Sequence, residues 1–471
     1  MYSLTAVGIA ALLLTLALTP LVRNLAVRLG WVDHPDRRRK LHLSPVPRAG
    51  GVAIILAYGA SFAILWVSPL QGGNLVERAL PFVWKLVPAA VLVFLIGLLD
   101  DLVGLKPWQK LAGQLAASGM ALWAGVWIQG VAGYTMPPWL SCVITVVWLI
   151  GCTNAFNLID GVDGLATGVG LFATLTTMIA ALFYGHYALA LATAPLAGSL
   201  LGFLRFNFNP ASIFLGDCGS LWIGFLLGCY GVFWSQKSAT LLGMTAPLMA
   251  LSVPLLDTGV AVFRRMLRRQ PLFAADRNHI HHRLLDRGLT PRRVVLLLYG
   301  VACLAAIFSL VQNMLQNRYG GIVVLVFCAA AWIGIQHLGY VELSATSRLI
   351  YPGTFFRVLN AQLRLRTLEE TLSGAATIEE CWRVICDASR DFGFNRVVLR
   401  LGEAFYEERW DGAKLGTDWT VRIPLSESEY LNLSRKFNGS AEPLVVAPLV
   451  EVLQRSLRTA RVRLVAGVSG K

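Results

Sequence analysis

The sequence predicts an all-α polytopic membrane protein of about eleven transmembrane helices, followed by a small soluble α/β C-terminal domain. Three observations carry this. Of the 471 residues, 56% are hydrophobic and only 14% are charged, where a soluble domain carries about 25%. The mean hydropathy is +0.60, and apolar stretches of membrane-crossing length recur up to residue 340. Beyond that point the composition turns to that of a soluble chain.

The first segment, MYSLTAVGIAALLLTLALTPLV, has no positive residue ahead of its apolar run and no convincing cleavage site. Arg23 and Arg28 follow it instead. It therefore reads as a retained first span, 3–22, with its N-terminus outside. Windows of ~20 apolar residues then mark 49–67, 86–99, 110–128, 140–156, 165–184, 187–204, 213–233, 241–262, 294–313 and 320–338. Backbone groups in lipid must bond internally, so these segments are helices and not strands.

Orientation follows from charge. The stretches 33–48 and 264–293 are strongly basic, the second with nine arginines, whereas 129–139 and 234–240 hold a single lysine, Lys237. Threading the spans from an outside N-terminus places both basic stretches and the C-terminus on the cytoplasmic side, as expected of a multi-pass membrane protein. That bias accounts for most of the excess of 41 basic over 27 acidic residues. It needs membrane lipid as a partner, not nucleic acid, and leaves some positive charge for a phosphorylated substrate. The eight cysteines include no CxxC pair and read as free thiols.

The chain divides at this level into a membrane-embedded domain, 1–340, and a cytoplasmic domain, 341–471. In the latter, 355–372 reads as helical, and TIEECWRVICDASRDF (377–392) has helical apolar spacing after a Thr/Glu start. RVVLRL and TVRIPL read as short strands. A stabilising or assembly role is the expectation for this domain.

Four polar motifs fall on the cytoplasmic side of that topology. Asp100 and Asp101 end the third span in LLDDLVGL. NAFNLIDGVDGLATG supplies Asn154, Asn157, Asp160 and Asp163 between the fifth and sixth spans. FLGDCGS places Asp217 at the start of the eighth, and DRNHIHHRL carries His279, His281 and His282. Each has a plain reading: a solvated helix end, an Asp/Gly turn, a helix cap, a basic face. Yet acids at a helix C-terminus oppose its dipole, and ionisable groups at the edge of a membrane bundle are functional candidates. Carboxylate and amide oxygens suit a hard cation such as Mg²⁺ that bridges substrate phosphates, and arginines and histidines suit phosphate oxygens. Together they describe phosphoryl transfer. No GxxxxGK[ST] loop is present, so a P-loop is excluded.

In content and order over residues 1–340, these motifs resemble the polyprenyl-phosphate N-acetylhexosamine-1-phosphate transferases, which start bacterial O-antigen, enterobacterial common antigen and teichoic-acid linkage synthesis. The resemblance implies transfer of a sugar 1-phosphate from a UDP-N-acetylhexosamine to undecaprenyl phosphate, with release of UMP and with Mg²⁺ (or Mn²⁺) as cofactor. It implies Asp217 as the principal metal ligand with Asn157 as a second. Asp100 and Asp101 match the acidic pair near the lipid phosphate. Asn154, Asp160 and Asp163 match residues around the nucleotide, while Arg265, His279, His281 and His282 match the loop that contacts phosphate and amino sugar. HIHH, in place of three consecutive histidines, resembles the branch that uses simple amino sugars.

Because the second pKa of a phosphate monoester is about 6, lipid phosphate is already mostly dianionic at neutral pH. Asp100 and Asp101 are therefore expected to organise metal or substrate, not to act as a base. The rival chemistries are a zinc hydrolase built on the three histidines and a transporter. Nine arginines beside the histidines disfavour the first, and the scarcity of charge in mid-span disfavours the second. The choice among UDP-N-acetylglucosamine, its galactosamine epimer and a deoxy-aminosugar stays open, and a homodimer is one option the sequence leaves open.

Overall fold

The computed structural model describes residues 2–33, 45–68, 72–131, 134–237, 249–267, 279–314 and 320–337, and beyond them 364–375, 377–402, 404–410, 418–426, 428–436 and 449–457. The chain forms two compact units, Met1–Leu338 and Gly339–Lys471.

The first unit is a helical bundle. Its helices are α1 (Tyr2–Arg28), α2 (Gly50–Val67), α3 (Gly72–Val103), α4 (Pro107–Trp123), α5 (Pro138–Ile159), α6 (Leu165–Phe183), α7 (Tyr187–Asn207) and α8 (Gly216–Lys237), then α9 (Ser252–Leu267), α10 (Ile280–Asp286), α11 (Pro291–Met314) and α12 (Gly320–His337). Two antiparallel pairs of very short strands, β1 (Val32–Asp33) with β2 (Val46–Pro47) and β3 (Gly130–Val131) with β4 (Tyr134–Thr135), tie loops at its ends.

Among the described residues, eight helices are long and apolar enough to cross a membrane: α1, α2, α3, α5, α6, α7, α8 and α11. This differs from the eleven expected spans. The segment at 110–128 forms α4, which is only 17 residues long and carries Gln109, Lys110 and Gln114 in its first half. These polar groups are held at one end of the bundle, as shown below. The span expected at 241–262 begins outside the described residues, and α9 carries Asp257 and two arginines. The segment at 320–338 forms α12, which is outside the set of eight.

α8 lies at the centre, with 89% of its span window buried, against 22% for α1. Phe156 of α5, Leu165 and Val169 of α6, Leu200 and Phe203 of α7 and Ile223 of α8 are all fully enclosed and form the main core. Trp84, Trp123 and Trp139 are more than 60% exposed; Trp123 and Trp139 lie at the ends of α4 and α5 away from the acidic motifs, and Trp84 near the start of the apolar stretch Phe82–Val103 of α3, where amphipathic rings sit at a membrane interface.

The second unit has helices α13 (364–374), α14 (Ile378–Asp391) and α15 (449–457) packed on one face of a four-stranded antiparallel sheet. The strands are β5 (Arg396–Leu401), β6 (Ala404–Arg409), β7 (Asp418–Pro424) and β8 (Tyr430–Lys436), in the spatial order β6-β5-β8-β7. α14 starts where the sequence indicates: the Thr377 side chain accepts from Glu380 N at 3.2 Å, satisfying one of the free N–H groups of the first turn. β5 and β7 are the two expected strands. β6 and β8 are additional strands: β6, AFYEER, ends in a charged run, and β8, YLNLSRK, alternates apolar and polar residues as a half-buried strand does. Of the helix expected at 355–372, residues 355–363 lie outside the described residues.

Candidate active site

The site grows from the end of α3. Asp100 Oδ1 accepts from Leu105 N at 2.7 Å, closing the turn that leads into α4. The Gln109 side chain accepts from Lys106 N at 2.8 Å and caps the start of α4. This short link sets Lys110 against the acids: its ammonium pairs with Asp100 and lies 2.8 Å from Asp217 Oδ2.

Asp101 points to α8. Its Oδ1 accepts from Asp217 N and its Oδ2 from Cys218 N, both at 2.9 Å. The first N–H groups of a helix lack partners within it and carry the positive end of its dipole. A carboxylate from a different helix here satisfies two of them and fixes the backbone that bears Asp217. The chain beside it is braced too: Phe214 N donates to Pro47 O at 2.8 Å, Gly50 N to Phe214 O at 3.0 Å and Gly51 N to Leu215 O at 2.8 Å.

The loop Asp160–Gly164 between α5 and α6 joins the remaining parts. Asp163 Oδ2 accepts from Asn209 Nδ2 and Ala211 N, each at 3.0 Å. Tyr299 OH donates to Gly164 O at 2.6 Å, and Gly164 is in the left-handed region at φ 81°, where a side chain is disfavoured. A Cβ on Gly161 would lie 2.7 Å from His281 Nε2, so glycine is what lets the histidine segment close onto this loop. Burial pushes the Asp160 carboxyl well above the usual carboxylate range, and the charges of Asp217, Asp101 and Asp163 push the same way, against Arg48. Asp160 therefore belongs to the same electrostatic group as the aspartates of α3 and α8.

The histidines form a second corner. Asp257 of α9, 2% exposed, accepts from Ile280 N at 2.8 Å through Oδ1 and lies 3.1 Å from His279 Nδ1 through Oδ2. The His279 and His281 rings stack with centroids 5.7 Å apart, and His282 lies 4.3 Å from His281. Burial lowers the pKa of His281 to about 3, outweighing the opposing charge of Asp257. His281 is thus a neutral ring at physiological pH and offers no charge to a phosphate. Arg265 is buried in the last turn of α9, about two turns beyond Asp257.

Two further residues named from the sequence have defined places. Asn154 and Gln114 exchange amide hydrogen bonds of 2.7 and 3.3 Å, so Asn154 ties α5 to α4. Asn157, one turn on, donates to Ser220 Oγ at 3.1 Å, one turn beyond Asp217 on α8. Lys110 and Asp257 were absent from the reading of the motifs. Asp257 is an isolated charge in an apolar run, VPLLDTGV, a signal that marks functional candidates in membrane helices, whereas Lys110 stands in a more polar stretch, PWQKLAGQ, four residues beyond Lys106.

The donor set at Asp217 is oxygen-rich: two carboxylates already drawn around one cation, the Lys110 ammonium, with the Asn157 amide nearby. This fits Mg²⁺, which is held by one or two carboxylates together with substrate phosphates. It does not fit zinc, which takes three or four protein ligands. Among the described residues no group of three or more His, Cys, Asp or Glu side chains could hold a metal ion, and His279 Nδ1 faces Asp257.

Comparison with known proteins agrees with this geometry. Residues 83–235 match the model of glycosyl transferase family 4, a stretch that holds Asp100, Asp101, Lys110, Asn157, Asp160, Asp163 and Asp217. The chain is 35% identical over 311 residues to a probable undecaprenyl-phosphate N-acetylglucosaminyl 1-phosphate transferase of Bacillus subtilis, covering 64% of this chain and 83% of the relative. It is 35% identical over 342 residues to a decaprenyl-phosphate N-acetylglucosaminephosphotransferase of Mycobacterium tuberculosis, covering 66% and 83%. A phospho-N-acetylmuramoyl-pentapeptide-transferase of Levilactobacillus brevis is 30% identical over 283 residues, covering 56% and 83%. With its motifs joined at one end of a bundle of membrane-crossing helices, the chain belongs to glycosyl transferase family 4, among the polyprenyl-phosphate N-acetylhexosamine-1-phosphate transferases.

Proposed function

We propose that this protein transfers N-acetylglucosamine 1-phosphate from UDP-N-acetylglucosamine to undecaprenyl phosphate at the cytoplasmic face of a bacterial inner membrane. The products are UMP and a lipid-linked diphosphate sugar for cell-surface polysaccharide assembly. The carrying observation is the Asp217 corner: a carboxylate at the start of the central helix, its backbone clamped by Asp101, its charge shared with Asp100 through Lys110.

An oxygen of the lipid phosphate forms a bond to the sugar-bearing phosphorus, and the bond from that phosphorus to the UMP oxygen breaks. Negative charge gathers on the phosphates, so the protein's task is positioning and neutralisation. Asp217 and Asn157 would hold Mg²⁺, which supplies charge neutralisation between the two phosphates when bound. Asp101 spends both oxygens on backbone N–H groups, which supports an organising role over that of a base. Lys110 supplies positive charge beside Asp100 and Asp217. His279, oriented by Asp257, and His282 line the phosphate and sugar side, with His281 closing the loop behind them.

UMP release from purified protein supplied with undecaprenyl phosphate and UDP-N-acetylglucosamine, with and without Mg²⁺, tests the reading. Absence of UMP under both conditions overturns it. Faster release with another UDP-N-acetyl sugar, including the galactosamine epimer or a deoxy-aminosugar, would replace the donor and keep the chemistry.

A further inference from the structure

Among the described residues of the second unit, helices cover one face of the sheet; on the other face Val398 and Ser434 are buried, while Arg400, Phe405, Arg409, Arg422 and Pro424 are exposed. Val397, Leu399, Ile423, Leu431 and Leu433 point into the helical side. Paired residues on neighbouring strands share a face, so the strand register places three rows of side chains on the other side. The first row is Pro424, Tyr430, Arg400 and Phe405. The second is Arg422, Asn432, Val398 and Glu407, and the third is Thr420, Ser434, Arg396 and Arg409.

These rows hold four arginines, one from β6, two from β5 and one from β7, against a single glutamate. Arg400, Arg409 and Arg422 are exposed. Arg396 pairs with Glu407 at 2.7 Å with 43% of its side chain exposed. The Arg422 guanidinium lies over the Tyr430 ring at 4.0 Å, which holds it flat on the sheet. Phe405, on the edge strand, is 59% exposed and has no apolar partner in its row except across Arg400. Arginine forks beside an exposed phenylalanine at this end of the face suit a surface with phosphates above apolar matter.

We propose that this face docks on the anionic phospholipid headgroups of the membrane that the first unit crosses. Charge complementarity selects the partner: arginines near an anionic leaflet each favour the docked state by about fivefold. The tether also selects it, because the sheet follows the last described membrane-unit helix on the same chain by fewer than sixty residues. Phe405 would enter the headgroup layer while Arg400 and Arg422 take phosphodiester oxygens.

The test is hydroxyl-radical footprinting of the full-length protein in nanodiscs of phosphatidylcholine alone or with phosphatidylglycerol. Phe405 and Tyr430 should be oxidised severalfold less with phosphatidylglycerol, while Trp382, on the helical side, is unchanged. Arg400→Glu with Arg422→Glu should restore the phosphatidylcholine level, and neither residue belongs to the active site, so UMP release in detergent should be unaffected. As a control independent of any substitution, raised ionic strength should also restore oxidation of the wild type. Equal oxidation in both lipids overturns the proposal. Protection that survives both charge reversal and salt also overturns it and assigns the face to a protein contact.

Discussion

The carboxylate corner and the histidine corner solve opposite electrostatic problems. In the first, acids from α3 and α8 crowd together, and one lysine and one helix N-terminus make that tolerable. In the second, a single buried acid, Asp257, organises a cluster of rings, one of which is held neutral. Crowded charge at the first corner is what a metal and two phosphates can use. At the second, Asp257 fixes the orientation of His279 and of the chain at Ile280. The difference teaches that the same residue type, aspartate, is an ion-pair partner, a helix clamp, a loop anchor or an orienter depending on which N–H groups reach it.

The comparison can be broken most sharply at Asp217. Asp217→Asn keeps the shape but removes the charge that Lys110 and a cation both use, and kcat for UMP release should fall by about 10²–10³-fold. A rate near wild type would remove Asp217 from the metal site.

At the other corner, Asp257→Asn should lower kcat/KM by about 10–100-fold by loosening the tautomer and orientation of His279. The readout is UMP release per folded protein, measured beside the folded fraction. A loss of folded protein with an unchanged kcat/KM would show that Asp257 only packs.

Lys110→Met leaves Asp100 and Asp217 facing each other with no cation. The thermal midpoint in detergent should drop, for a loss of about 1–2 kcal/mol, and Mg²⁺ should restore more of it than in the wild type. No such rescue would mean that lysine and metal do not share this charge.

The smallest effect concerns His281. Its folded pKa of about 3 lies below the usual 6.5, so above pH 6.5 both folded and unfolded chains hold it neutral. Below that, the unfolded chain takes up a proton that the folded chain refuses, and stability falls as pH drops toward about 3. The slope is at most about 1.4 kcal/mol per pH unit, and unfolding of His281→Gln at several pH values should lack this contribution.

How much of this was legible beforehand differs between the corners. LLDDLVGL, NLIDGVDG and FLGDCGS are short, dense motifs at helix ends, and the topology alone put them on one side. Asp257 was missed because it stands alone in an apolar run, and Lys110 because its polar neighbours, Gln109 and Gln114, form no motif with it. The segment at 110–128 differs from the expected span because hydropathy cannot separate a short helix with a polar half, such as α4, from one that crosses.

The sequence by itself determined the bundle, the two-part organisation, the side that carries the acids and the family of the chemistry, because apolar length, charge bias and local motifs act within a few turns of chain. Only the tertiary structure decided which acid does what. Asp101 clamps α8, Asp163 anchors the chain at 209–211, Asp257 holds His279, and Asp217 remains with Lys110. Those assignments depend on donors that arrive from helices far apart in sequence, and on distances of about 3 Å that no spacing within one segment can set.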